Sequence, residues 1–156
     1  MSSIGNRFPP ELRRHTIIRE LTAGKVLYLW TNFTDPPKEK YLLIACPHER
    51  PLLFVINSQI SAFIQRRPDL LRCQVSLSAA NYEFLRHDSY INCSQVVDDF
   101  SLDDIVGQVM ADFNRLKVDL NESDKLAVHS AVSAARTISL EDKLQILPAL
   151  SPPAEP

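Results

Sequence analysis

The sequence predicts an α+β protein: a small, curved antiparallel β-barrel with an N-terminal helix before it and C-terminal helices after it. Three observations lead there. Five short β-rich runs follow one another between Lys25 and Cys93 with no regular helix between them, the pattern of a strongly curved antiparallel sheet or partly open barrel. Three helix starts recur in the final third, at Ser101 with Asp104, Asn121 with Asp124 and Ser139 with Asp142; in each, a small polar side chain accepts an orphan amide bond and a carboxylate sits near the positive end of the helix dipole. The 156 residues, 45% hydrophobic and 23% charged, have ordinary globular composition and suffice for one core without staples.

Taken in order, residues 1–7 are expected to be disordered. Phe8-Pro9-Pro10-Glu11 opens a helix, since proline is tolerated in a first turn. Leu12, Ile17, Ile18 and Leu21 form its apolar side, and Gly24 ends it. Lys25 to Thr31 is rich in β-branched and aromatic residues, and Asn32 to Lys40 is a loop with two adjacent prolines. Tyr41 to Cys46 and Leu52 to Ile56 are almost wholly apolar runs bounded by Pro47 and Pro51, hence buried strands. Ser58 to Gln65 has room for one helical turn. Arg72 to Leu77 alternates, with Cys73, Val75 and Leu77 inward, and Ser89 to Cys93 is a fifth strand. After Ser101 the residues Leu102, Ile105, Val106, Val109, Met110 and Phe113 make one helical stripe. A second helix over residues 122–136 packs on Val128, Ala131, Val132 and Ala135, and a third runs from Leu140 to Leu147, where Pro148 stops it. The domain reading is a barrel core over 24–96, helices over 101–147 and a disordered tail over 148–156.

The net charge of -2 conceals an asymmetry. Residues 1–77 carry 11 Lys+Arg against 6 Asp+Glu, a net of +5, and residues 78–156 carry 6 against 13, a net of -7. A basic front and an acidic back confine any phosphate binding to one surface. No apolar run approaches the roughly 18 residues of a membrane span, the N-terminus lacks a signal peptide's apolar stretch, and three scattered cysteines (Cys46, Cys73, Cys93) read as reduced thiols. A cytoplasmic protein is expected, with no membrane partner.

Several chemistries are disfavoured. With three glycines there is no phosphate-cradling Gly-rich loop and no dinucleotide fingerprint, and neither a G-x-S-x-G elbow nor H-E-x-x-H occurs. Cys46, His48, His87 and Cys93 are zinc-compatible ligand types, but their spacing is not that of a C-x-x-C knuckle and small buried strand ends commonly hold free cysteine; no metal or cofactor is expected. His48 and His87 flank strands and together would suit general acid–base cleavage of RNA. More suggestive is Lys38-Glu39-Lys40, two cations at the mouth of a strand, with Asn57, Ser58 and Ser61 following the next strand. Cations beside hydroxyl and amide donors form a cradle for a scissile phosphodiester, and Arg50, Arg66, Arg67 and Arg72 lie in the same part of the chain to hold flanking phosphates.

This order of elements resembles the PemK/MazF-like toxin family, small barrels that cleave RNA without a metal. Gly24-Lys25-Val26 is similar to the family's opening G-D-[VI] strand, Lys38-Glu39-Lys40-Tyr41-Leu42-Leu43-Ile44 to its K-x-R-P strand, Phe54-Val55-Ile56-Asn57-Ser58 to the strand ending in T-S, and His87-Asp88-Ser89-Tyr90-Ile91-Asn92-Cys93 to its D-S segment. The similarity covers residues 24–96. It implies an SH3-like/PemK-like barrel and a metal-independent endoribonuclease acting on single-stranded RNA, with catalytic Lys40, Ser58 and Asn57. Lys38, Arg50, Arg66, Arg67, Arg72, His48 and His87 would then bind substrate. It also implies a homodimer and an antitoxin or other protein partner. Lys40-Tyr41 replaces the family's arginine-proline and Asn57-Ser58 its threonine-serine. Lysine lacks arginine's planar fork, so the alternative is a catalytically inactive interaction protein of a toxin–antitoxin or defence locus. A bare nucleic-acid binder, stacking bases on Tyr28, Trp30 or Tyr82, is the third reading.

Overall fold

The computed structural model describes residues 9–151. Helix α1 (Pro10–Glu20) starts at its proline. Its backbone turns into strand β1 (Lys25–Thr31) through Gly24, whose φ of 96° lies in the left-handed region that glycine alone enters without strain. Strands β2 (Lys38–Cys46) and β3 (Leu52–Asn57) follow as one hairpin. Helix α2 (Ala62–Gln65) is the single turn expected within Ser58 to Gln65, and a second short helix, α3 (Pro68–Leu71), follows it unforeseen. Strands β4 (Gln74–Leu77) and β5 (Ser89–Asn92) complete the region 24–96. Beyond it come α4 (Leu102–Ala111), β6 (Leu116–Asp119), α5 (Glu122–Ala134) and α6 (Leu140–Leu150).

All strand pairs are antiparallel, in the order β4-β5-β3-β2-β1-β6. The sheet curls into a half-barrel, with six strands and six helices among the described residues. Its sixth strand, Leu116–Asp119, was not expected: four residues beside a 3-10 turn at Phe113–Arg115 carry too short a pattern to show. It pairs with β1 and extends the sheet on the side away from β2.

Helices cover both faces of the curl, so this is not a bare barrel with appended helices. Val26, Leu43, Ala45, Phe54, Ile56 and Ile91 form one core with Val128, Val132 and Ile146 of α5 and α6. Leu27, Leu29, Leu42, Ile44 and Leu53 form another with Ile17 of α1 and Ile105, Val106 and Val109 of α4. Successive residues of β2 therefore enter different cores, which is why this strand reads as continuously apolar rather than alternating.

The three N-caps form as expected. Ser101 and Asp104 make a reciprocal capping box, and Asn121 and Ser139 accept from the amides of Asp124 and Asp142. Helix α4 stops before Phe113, because Asp112 turns its carboxylate to the Asn114 amide (3.0 Å) and caps the 3-10 turn instead. Helix α6 passes through Pro148, so Pro148, Ala149 and Leu150 are not tail. One lost amide bond near a helix end is offset by burying Leu150 at 3% exposure. The expected disorder of residues 1–7 and of the tail beyond Ser151 lies outside the described residues. Among those described, no helix is long and apolar enough to cross a membrane.

Candidate functional site

The β2–β3 register places Tyr41 opposite Ile56, so the next pair outward is Lys40 and Asn57. The Lys40 Nζ donates to Asn57 Oδ1 at 2.6 Å. Asn57 pairs in turn with Tyr90 of β5, so the ends of three strands meet where the helical layers no longer cover the sheet. A cleft of about 620 Å³ opens there, lined by Lys38, Lys40, Ser58, Arg86, His87 and Lys117 together with Glu39 and Ser89. Its floor is aromatic: Tyr28 and Tyr41 are cross-strand partners with ring centroids 4.5 Å apart, and Phe84 lies 5.1 Å from Tyr41. The Tyr41 hydroxyl donates to the Phe84 carbonyl (3.1 Å) and so fixes the 84–87 loop over the floor.

Four cations converge on this cleft against one carboxylate, and that carboxylate is engaged. Arg115 donates to Glu39 through one guanidinium nitrogen and to the Tyr28 carbonyl through the other. With Glu39 paired, the lining presents a net positive field. Burial pushes the Lys40 ammonium below its ordinary pKa, and the charge of Lys38 pushes it further. Burial also raises the Tyr41 phenol, reinforced by Tyr28 and opposed by Arg86. Ser89 is buried and donates to the His87 carbonyl (2.9 Å), holding that residue at the cleft mouth.

The expected residues divide sharply. Lys38, Lys40, Ser58 and His87 line the cleft. Asn57 does not; it acts through Lys40, as a positioning residue. His48 and Arg50 lie in the turn after Cys46, at the opposite end of β2, and Arg50 donates to the Asp98 carbonyl. The His48–His87 pair therefore does not form at this cleft. Arg66, Arg67 and Arg72 are exposed on the α2–α3 segment, where Arg67 pairs with Asp69 and lies over Phe63, and Arg72 bonds the Pro68 carbonyl. None of the three lines the cleft. Of the proposed stacking residues Tyr28 is on the floor, but Tyr82 is buried at 4% exposure. Its hydroxyl donates to Asp124 and accepts from the Asn121 amide, tying the 82–85 turn to the start of α5.

Arg86 and Lys117 are cleft cations that sequence reasoning missed. Arg86 belongs to a loop with no periodic signal, and Lys117 belongs to the unforeseen β6. The neighbouring His87-Asp88-Ser89 motif was the one cue to the first. Among the described residues no cluster of three or more His, Cys, Asp or Glu side chains could hold a metal ion. Burial pushes up the thiols of Cys46, Cys73 and Cys93, most strongly Cys93, which keeps them protonated.

A second cleft, of about 450 Å³, is lined by Trp30, Asn32, Phe33, Asp99, Phe100, Asp104 and Gln108. It shares no lining residue with the first. Gln108 of α4 accepts from the Trp30 amide (2.8 Å) and donates to the Trp30 carbonyl (3.2 Å), standing in for a strand beyond the reach of β6.

No protein-family model matches this chain, and no curated protein matches it either.

Proposed function

We propose that the protein is a metal-independent endoribonuclease of PemK/MazF-like toxin type, acting on single-stranded RNA in the basic cleft. The observation that carries this reading is that Asn57, from behind the lining, accepts a hydrogen bond from Lys40 and so holds it in a cleft with Lys38, Ser58, Arg86 and His87. A phosphodiester seated there meets fixed positive charge where its own charge grows during reaction. His87 has the imidazole chemistry to take the proton from a 2′-hydroxyl as it attacks phosphorus. The P–O5′ bond then breaks, the 5′-oxygen leaves as a hydroxyl by taking a proton from the Lys40 ammonium, and a 2′,3′-cyclic phosphate forms. Ser58 donates to a non-bridging oxygen. The Tyr28–Tyr41–Phe84 floor offers faces on which an unpaired base stacks. The SH3-like barrel of that family is part of the same proposal: the curled half-barrel of β1 to β5 supports it, with β6 and two helical layers added.

The test is incubation of purified protein with mixed single-stranded RNA in chelator, wild type beside Lys40→Ala and His87→Ala. Chelator-resistant cutting that ends in a cyclic phosphate and slows about 100-fold or more in Lys40→Ala and in His87→Ala is expected. No cutting anywhere between about pH 6 and 9 overturns the enzyme reading in favour of an inactive interaction protein. The feature that favours this second reading is a pair of exposed leucines one turn apart on α6, Leu140 at 72% and Leu144 at 68%. The homodimer belongs here too, its two-fold contact built on that apolar face. Light scattering that reports a monomer at high concentration removes it.

A further inference from the structure

The second cleft is chemically the inverse of the first. Two carboxylates, Asp99 and Asp104, and three aromatic rings, Trp30, Phe33 and Phe100, line it, and no basic side chain does among the described residues. Trp30 and Phe33 are exposed at 47% and 40%, so two large rings face water inside a concavity. Single exposed apolar residues are ordinary, but exposed rings gathered in a hollow mark a recognition surface.

The parts are held in place. Gln108 grips the Trp30 backbone on both its amide and carbonyl, and the indole N–H donates to Asn32 Oδ1 at 3.2 Å. Phe33 stands edge-on to Phe100, centroids 6.2 Å apart at 84°. These bonds consume the amide groups of Gln108 and the oxygen of Asn32. Asp104 spends one carboxylate oxygen on the Ser101 amide (3.0 Å) and keeps the other. Hydrogen bonds from Ser101, the backbone one first, hold the Asp104 carboxyl below its usual range, with a smaller contribution from Arg50. Arg50 itself is tethered to the Asp98 carbonyl and is not part of the lining. Besides the Asn32 amide nitrogen, what remains for a ligand is carboxylate oxygen and ring face.

We propose that this cleft binds the arginine side chain of a basic peptide segment on a protein partner. A guanidinium fits both remaining surfaces at once. Its plane stacks on an indole, the strongest of the aromatic cation acceptors, and its N–H fork bonds a carboxylate in two places. An ammonium offers a point charge and no plane. RNA is disfavoured, because its phosphates would meet two carboxylates. The proposal does not depend on cleavage in the basic cleft, since the two share no residue.

Trp30 is the only tryptophan in the chain, so its fluorescence reports on this cleft alone. The full-length protein is titrated with acetyl-Gly-Arg-Gly-amide, with the lysine and glutamate versions, with tetramethylammonium chloride and with oligouridylate. The expected result is a saturable change in emission with the arginine peptide at about millimolar concentration or below. The lysine peptide should bind more weakly, and the glutamate peptide should give no response. Asp99→Asn should weaken arginine binding about fivefold or more, and added salt should weaken it in the wild type. Asp99 is exposed, and a circular dichroism spectrum matching the wild type shows the variant folded; Phe33→Ala supplies an independent loss. An unresponsive Trp30, an equal response to glutamate, or binding of tetramethylammonium or oligouridylate without the arginine peptide overturns the proposal.

Discussion

Strand β2 passes from one environment into another. Lys38 to Tyr41 are exposed or half-buried and border the basic cleft, whereas Leu42 to Cys46 are buried, with helices against both faces of the sheet. The same backbone ladder runs through both halves, so the difference lies in what covers the strand. Where α1 and α4 lie on one side and α5 and α6 on the other, every position must be apolar. Where those layers end, polar side chains from β2, β3, β5 and β6 are free to converge. The first half places chemistry and the second half supplies stability.

Substitutions should separate the two halves. Phe54, packed against β2, is the largest of the fully buried side chains among the described residues. Phe54→Ala should lower unfolding free energy by about 3–5 kcal/mol in urea titrations while leaving the cleft chemistry intact in the folded fraction; a loss under about 1 kcal/mol would mean the covered half is not the stabilising one. In the open half the balance reverses. Lys40→Ala should slow the proposed RNA cleavage about 100- to 1000-fold and change stability by less than about 1 kcal/mol, read from cleavage rates and urea midpoints on the same preparation.

A smaller effect is expected where the cleft's back wall joins α5. Tyr82→Phe removes the hydroxyl that bridges Asp124 and Asn121, and should cost about 1–2 kcal/mol. Burial, with Asp124 next, pushes the Tyr82 phenol from 10.0 up to about 12. The folded state therefore keeps its proton longer than the unfolded chain does, so this contribution is complete below pH 10 and is lost between 10 and about 12. Urea midpoints across that window should fall less steeply in the phenylalanine variant.

The subtlest effect concerns Lys40, whose pKa moves the other way. Folding disfavours its cation, so its contribution to stability grows as pH rises through the lowered value towards 10.5. Cleavage that uses the cation should decline over the same range, beginning below the ordinary lysine value. Lys38→Gln removes the neighbouring charge and should move that alkaline limb upward in a pH–rate profile. A limb unmoved by Lys38→Gln would show that another group sets it.

Much of the fold could be read from local chemistry. Pro10, Ser101, Asn121 and Ser139 each start a helix through a short-range bond or a fixed φ, and such signals survive any tertiary context. Of the strands of region 24–96, β2 and β3 announced themselves by apolar runs beside Pro47 and Pro51, β1 by its β-branched and aromatic residues, and β4 by alternation. What escaped depends on distant partners. β6 is a strand because β1 has a free edge for it, and α6 continues through Pro148 because Leu150 finds the core. The candidate site shows the same split. Lys40, Asn57 and Ser58 follow from β2–β3 pairing, whereas Arg86 and Lys117 enter from elements whose approach no spacing encodes. Arg50, Arg66, Arg67 and Arg72 were grouped with the site by nearness along the chain, and the curl of the sheet carries them elsewhere.

Gln108 has a consequence for how molecules of this protein coexist in a crowded solution. A sheet margin with a bare amide and carbonyl is a docking rail on which a strand from another chain can add. By seating its carboxamide on Trp30, α4 occupies both groups and turns that margin into a dead end. Replacing the glutamine with leucine would keep the helix and unlock the rail, and the resulting protein should grow turbid on storage where the parent stays clear.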